Sequence, residues 1–160
     1  MKFKASLDRP AKIITVSIVT LFAVLSWLGT LQNFIPARPA IFPLLLLWGI
    51  VVLCFVLSPR YYLVYDDRVI IKRLWRSVTI KRSEIRLCRT VTTQEIGGLT
   101  RYFGVGGLFG YFGKFLSSGL GSLNLYATRQ QNFVILHINS NRKIMLSPDE
   151  PAAFARKVCN

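Results

Sequence analysis

One histidine, three cysteines and seven acidic residues leave this 160-residue chain short of the groups on which enzymes and metal proteins are built. Cys54, Cys88 and Cys159 form no Cys-x-x-Cys pair, and with only His137 beside them no ligand set has zinc spacing. Unpaired cysteine spacing suits a reducing compartment. The acidic residues of the C-terminal part, Asp66, Asp67, Glu84, Glu95, Asp149 and Glu150, each fit a turn, a surface or a helix start, so no carboxylate pair offers acid–base chemistry. His137 alternates with Phe133 and Ile135 in a strand pattern and has no nucleophile motif near it. The expectation is a non-enzyme with no catalytic residue, metal or cofactor.

Charge is also missing from two long stretches. Residues 13–35 and 40–57 contain no charged side chain, and a spanning helix needs about 20 such residues. Both runs carry Trp or Phe near their ends, where the membrane interface favours them. The first run exceeds the roughly 7–15 residues of a signal-peptide core and lacks a small-x-small cleavage site. Only Pro36, Ala37, Arg38 and Pro39 separate the runs, a linker suited to a tight reversal. Lys2, Lys4, Arg9 and Lys12 precede the first run, and Arg60, Arg68, Lys72 and Arg73 follow the second. Basic flanks mark the cytoplasmic side, so the expected topology is a multi-pass protein of the cell inner (plasma) membrane with both termini cytoplasmic. The resulting division is a basic N-terminus (1–12), a two-span hairpin (13–57) and a cytoplasmic domain (58–160).

Beyond residue 58 the pattern turns to short β segments. Residues 61–65 and 69–73 flank Asp66-Asp67 as a hairpin, residues 74–77 connect to a third strand at 78–81, and 85–93 forms a fourth. Residues 123–128, 132–138 and 143–146 give three more. Between them, residues 97–121 interleave glycine with aromatics, which reads as a long excursion and not as regular strand. Ser147, Pro148 and Glu150 have the spacing of a capping box opening a helix over 148–158.

Seven strands and a closing helix follow the order of a pleckstrin-homology (PH) fold. The runs Val69-Ile70-Ile71-Lys72-Arg73, Arg101-Tyr102-Phe103-Gly104-Val105-Gly106-Gly107-Leu108-Phe109-Gly110-Tyr111-Phe112-Gly113, Leu125-Tyr126-Ala127-Thr128 and Leu146-Ser147-Pro148-Asp149 resemble the bacterial PH-domain family of small membrane proteins. The resemblance implies a mainly β PH-like barrel or sandwich of about seven antiparallel strands with one C-terminal helix. It implies a fold and no activity. In PH domains generally, basic residues around the first hairpin often grip lipid headgroups, which points here to Lys72, Arg73 and Arg76.

The formal charge of +14 is concentrated in this region, with Lys81, Arg82, Arg86 and Arg89 close behind. Near an anionic bilayer each such residue contributes about 1 kcal/mol; the bland alternative is a solvated face. Trp75 could dip into the interface or pack on the barrel. Arg101, Phe103, Phe109, Tyr111 and Phe112 could form a contact loop for membrane or partner, or tuck against the barrel. Gly104 and Gly106 start a dinucleotide fingerprint that Phe109 breaks. Nucleic acid is not an expected partner, since no recognition motif accompanies the charge. The expected function is a membrane-anchored binding module for an anionic phospholipid bilayer, a protein partner or a second copy. The alternative is an accessory subunit of a membrane complex assembling through its spans; Gly29 and Gly49 form no GxxxG motif that would mark close helix dimerisation.

Overall fold

The computed structural model describes residues 1–31, 41–139 and 141–159. Two apolar helices, α1 (Arg9–Leu31) and α2 (Ile41–Leu57), precede most of the β structure. In α1 the stretch Arg9–Gly29 has a mean hydropathy of 2.0 with only 6% of its residues buried, long and apolar enough to cross a bilayer. At 17 residues α2 is shorter, rising about 25 Å. The reversal expected at residues 36–39 lies outside the described residues. The two helices pack antiparallel. Trp48 Nε1 donates to Ser26 Oγ at 3.2 Å and its ring meets Phe22 edge-on at 6.4 Å.

Ten strands are found among the described residues, three more than the sequence pattern suggested. One sheet has the order β1-β2-β3-β4 and runs antiparallel: β1 (Lys2–Lys4), β2 (Tyr61–Val64), β3 (Arg68–Lys72) and β4 (Val78–Lys81). The other has the order β5-β9-β10-β8-β7-β6, formed by β5 (Ile85–Val91), β6 (Leu99–Gly107), β7 (Gly110–Ser117), β8 (Gly121–Ala127), β9 (Phe133–Ile138) and β10 (Lys143–Leu146). Not every pair is antiparallel. β10 slots between β9 and β8 and runs parallel to β8, because β9 lies one strand beyond its sequence neighbour.

Two of the unexpected strands correct the reading of residues 97–121 as an irregular excursion: β6 and β7 pair as one hairpin, from Leu99 opposite Ser117 to Gly107 opposite Gly110, with a single register shift. Gly104 faces Gly113 across this ladder, with φ of +134° and +130°, and a Cβ on Gly104 would lie 2.7 Å from the Gly113 Cα. Glycine here lets two backbones approach in a conformation that side chains disfavour. The third, β1, comes from the N-terminal segment that the sequence set apart from the β domain; Phe3 sits opposite Tyr62 and the Met1 amine donates to the Val64 carbonyl at 2.6 Å.

The larger sheet is covered on both faces, which explains why β9 is an almost unbroken apolar run. Val134, Leu136 and Ile138 point toward the smaller sheet, where Tyr62, Val69, Ile71 and Phe154 complete one core. Phe133 and Ile135 point the other way, into a second core with Leu123, Leu125, Met145 and Ala11 of α1. The closing helix α4 (Pro151–Cys159), which follows the single-turn α3 (Thr93–Ile96) in chain order, buries Phe154 and Val158. The Phe154 ring meets those of Phe3 and Tyr62 edge-on.

That helix begins at Pro151 and not at Pro148. Ser147 does not cap it: its buried hydroxyl accepts from the backbone N–H groups of Thr128 (2.8 Å) and Arg129 (3.3 Å). A proline fits the first helical position because its missing N–H is unpaired there anyway, and Pro151 takes that place. Asp149 is freed to hold the N-terminal segment. It accepts from the Ser6 N–H (2.9 Å) and hydroxyl (2.6 Å) and pairs with Arg129 at 2.8 Å. Partial burial works to raise its pKa, but the Ser6 bonds and the Arg129 charge outweigh it, and the carboxyl titrates below its usual range. A depressed carboxylate stabilises the fold above the unfolded value of about 4, and that contribution is lost as pH falls through the folded pKa. Thermal melting across acid pH should show wild type losing stability below about pH 4, whereas Asp149→Asn starts about 2 kcal/mol lower at neutral pH with a shallower acid slope. Equal acid slopes would mean that Asp149 does not carry the effect.

Candidate membrane-facing site

Two hairpin tips meet the ends of the apolar helices. At the first, β3 and β4 are joined by residues 73–77, and the Trp75 N–H donates to the Val56 carbonyl in the last turn of α2 at 3.3 Å. The tip is thereby held level with the end of α2. Leu74 and Trp75 are nevertheless 56% and 55% exposed, a large apolar surface beside an apolar helix. Arg73 turns back to donate from Nε and Nη2 to the Arg76 carbonyl at 3.0 and 2.6 Å, bracing the turn in which Arg76 has φ +51°.

At the second tip, Leu108 and Phe109 join β6 to β7. The Phe109 N–H donates to Thr15 Oγ1 of α1 at 2.9 Å, and its ring meets Phe55 of α2 at 5.1 Å. Phe109 has φ +55°, a costly conformation for an aromatic residue that tertiary contacts must hold in place. The tip is thus wedged between the two helices and not presented outward.

The exposed part of that hairpin lies further along β6. A bulge between Arg101 and Phe103 leaves Tyr102 unpaired. In a regular strand neighbouring side chains point to opposite faces; a bulge re-aims them. Tyr102 and Phe103 are consequently 85% and 74% exposed, the two most exposed aromatic side chains described in the β domain.

Cations surround this region and lie on aromatic faces: Arg60 over Phe55 at 4.6 Å, Arg76 over Trp75 at 5.6 Å and Arg73 over Tyr126 at 5.6 Å. A guanidinium stacked on a ring keeps its edge free for an anion while its stem covers apolar surface. Between the last turn of α2 and the β6–β7 hairpin runs a groove of about 610 Å³, with Leu53, Cys54 and Leu57 on the helix side and Arg73, Arg101 and Phe112 on the other.

The structure divides the candidate residues anticipated from sequence. Arg73, Trp75, Arg76, Arg101 and Phe103 gather around the end of α2, and Lys72 is exposed at the end of β3 nearby. Lys81 and Arg82 lie at the opposite end of β4, about 10 Å from Val78 at strand rise. There Arg82 Nε donates to the Val158 carbonyl of α4 at 3.2 Å. Arg86 is engaged with Asn139 and Arg89 with Glu95. Tyr111 and Phe112 are buried at 5% and 6% exposure and present no outward contact loop, although Phe112 contributes to the wall of the groove. The Tyr111 hydroxyl donates to Asp8 Oδ1 at 3.4 Å, and burial, reinforced by that carboxylate, pushes its pKa to about 12. His137 is held below its usual pKa by partial burial and by the charges of Lys143 and Arg89. Arg60, Leu53 and Leu57 had not been anticipated, although Arg60 follows the second apolar run directly. The pattern gave no sign that the last turn of a helix would form the wall of a groove.

Cys88 and Cys159, expected as separate thiols, form a disulfide with Cα atoms 5.4 Å apart. They are 71 residues apart and meet only because α4 packs along β5, so no spacing motif could reveal them. No group of three or more His, Cys, Asp and Glu side chains among the described residues could hold a metal ion.

A family model for the bacterial PH domain matches residues 60–160, nearly all of the chain after α2. The chain belongs to the bacterial PH-domain family. Searches of curated proteins and of solved structures found no match. PH domains are in general non-catalytic binding modules, so binding and not turnover is the class of activity to consider. The match stops short of β1 and the helices, yet in this bacterial PH-domain protein β1 completes the smaller sheet and α1 closes the second core.

Proposed function

We propose that this bacterial PH-domain protein is a non-enzymatic, membrane-anchored module that lays one end of its β domain on an anionic lipid surface. On this reading α1 and α2 both cross the inner membrane and their basic flanks keep both termini cytoplasmic. The observation that carries it is the hydrogen bond from the backbone N–H of Trp75 to the Val56 carbonyl. It ties an exposed Leu-Trp pair, flanked by Arg73 and Arg76, to the last turn of an apolar helix. Such a tip shares the depth of the helix end, where indole rings are favoured and arginines meet phosphate. Lys81, Arg82 and Arg86 belong to a different surface and are not part of this contact.

Fluorescence quenching in lipid nanodiscs tests the proposal on the full chain. With Trp27→Phe and Trp48→Phe, Trp75 is the remaining indole. Lipids brominated near the headgroup should quench it strongly and those brominated near the chain end weakly. Absence of quenching by either would show that the tip does not reach the bilayer and would turn attention to a protein partner. A shortened chain beginning at residue 58 is a poor substitute, because it lacks β1 and leaves the β2 edge open.

A further inference from the structure

We infer that the groove between the last turn of α2 and the β6–β7 hairpin holds a single anionic phospholipid, its phosphate between Arg73 and Arg101 and its upper acyl chain against Leu53, Leu57 and Phe112. The inference rests on the membrane-surface reading above and adds to it a discrete site. Surface contact through the β3–β4 tip requires no groove.

Polarity grades along the groove in the direction a lipid would need. Leu53 to Leu57 is about 6 Å of helix rise, which carries the wall from within the apolar run to its end. Leu53 is 48% exposed, so this wall is open sideways, where a bilayer would supply the ligand. At the end of the helix the lining changes to two arginines. Arg73 commits Nε and Nη2 to the Arg76 carbonyl, which fixes the guanidinium over the Tyr126 ring and leaves its other N–H groups to donate. Arg101 lies back along its own strand, its Nη1 3.5 Å from where a Cβ on Gly106 would stand. Two guanidinium groups on one side of an apolar wall match a phosphate attached to a hydrocarbon chain.

A second cleft, lined by Arg82 and Arg86, takes no wall from α1 or α2, and its arginines already donate to the Val158 carbonyl and Asn139. Charge complementarity sets the groove apart from a third, which lies between Arg9, Lys12 and Arg129. That cleft includes Asp8, whose carboxylate opposes an anion, whereas no acidic residue lines the groove at α2. At about 610 Å³ the groove falls within the range of small-ligand sites. It accommodates a headgroup and the start of a chain, with the remainder of the lipid left in the bilayer.

Native mass spectrometry of the full chain, released from mild detergent with added phosphatidylglycerol or phosphatidylcholine, tests the inference. Wild type should retain one phosphatidylglycerol and little phosphatidylcholine. Arg101→Gln should retain about tenfold less, Arg101→Lys an intermediate amount, and Lys81→Gln, with the same charge change elsewhere, as much as wild type. Trp75 quenching should persist in Arg101→Gln. If Trp75 is quenched but no adduct forms, or if Arg101→Gln and Lys81→Gln lose lipid equally, the groove is not a lipid site and the surface reading stands without it. If both adduct and quenching are absent, both readings fall.

Discussion

Gly104→Val should cost about 2–6 kcal/mol and lower the amount of folded protein sharply, an effect that Gly113→Val, its cross-strand partner, should match. Two costs add. A β-branched residue at φ +134° is strained by about 1–3 kcal/mol. Its Cβ would also collide with the Phe112 carbonyl oxygen and approach the Gly113 Cα to 2.7 Å, and those are backbone atoms of the paired strand, which cannot rotate aside. Overpacking of that kind costs roughly a further 1–3 kcal/mol. With total stabilities of about 5–15 kcal/mol, such a loss consumes much of the margin. Thermal melting of the full chain in detergent reads the effect, with Thr100→Val on the same strand as the benign comparison. A melting temperature for Gly104→Val within a few degrees of wild type would show that the hairpin does not depend on this close approach.

Opening the Cys88–Cys159 bond is expected to be the second large effect. The bond closes a loop of 71 residues, and the chain-entropy model assigns such a loop about 4 kcal/mol at room temperature. Cys159→Ser should therefore melt well below the oxidised wild type, while under reducing conditions the two proteins should melt together. A difference that survives reduction would trace to the serine and not to the cross-link. The pair also reports which side of the membrane the β domain occupies. The cytosol keeps thiols reduced. If the basic flanks of α1 and α2 orient the chain as proposed, trapping thiols in intact cells with a permeant maleimide should find both cysteines free, the bond forming only after lysis. A bond already closed in cells would place the domain on the oxidising side and overturn the proposed topology.

Local chemistry made about half of this architecture readable. The β2–β3 hairpin follows from Asp66-Asp67 between two apolar runs, and β9, β10 and the two inward residues of α4, Phe154 and Val158, follow from periodicity. What escaped depended on partners distant in sequence. Gly104 and Gly113 depress strand propensity when read singly, and only their cross-strand pairing turns that weakness into a fit. Lys2-Phe3-Lys4 is too short to register as a strand without Tyr62 opposite it. Ser147 offered a plausible cap, but the backbone of Thr128 and Arg129 claimed its oxygen. The candidate site divides in the same way. Arginine and aromatic content marked Arg73, Trp75, Arg76, Arg101 and Phe103, whereas the bulge that turns Tyr102 outward and the helix wall of Leu53 and Leu57 arise from assembly.

The ladder between β1 and β2 has a consequence for how the chain is assembled. Lys2 pairs with Leu63 and Lys4 with Tyr61, so both apolar helices lie inside the interval that this pairing closes. During synthesis β1 emerges early and waits, unpaired, until α1, α2 and β2 have followed. Pairings that span so much chain form late, after the loop-closure entropy has been met. If α1 and α2 both cross the bilayer, as proposed, these pairings can form only when the start of α1 and the end of α2 finish on the same face. A chain inserted with one helix instead of two would strand β1 across the membrane from its partner, leave Tyr62 and Phe154 uncovered by Phe3, and present an open sheet edge to quality control. On the proposed topology, the short N-terminal strand thereby makes the stability of the β domain a readout of correct insertion.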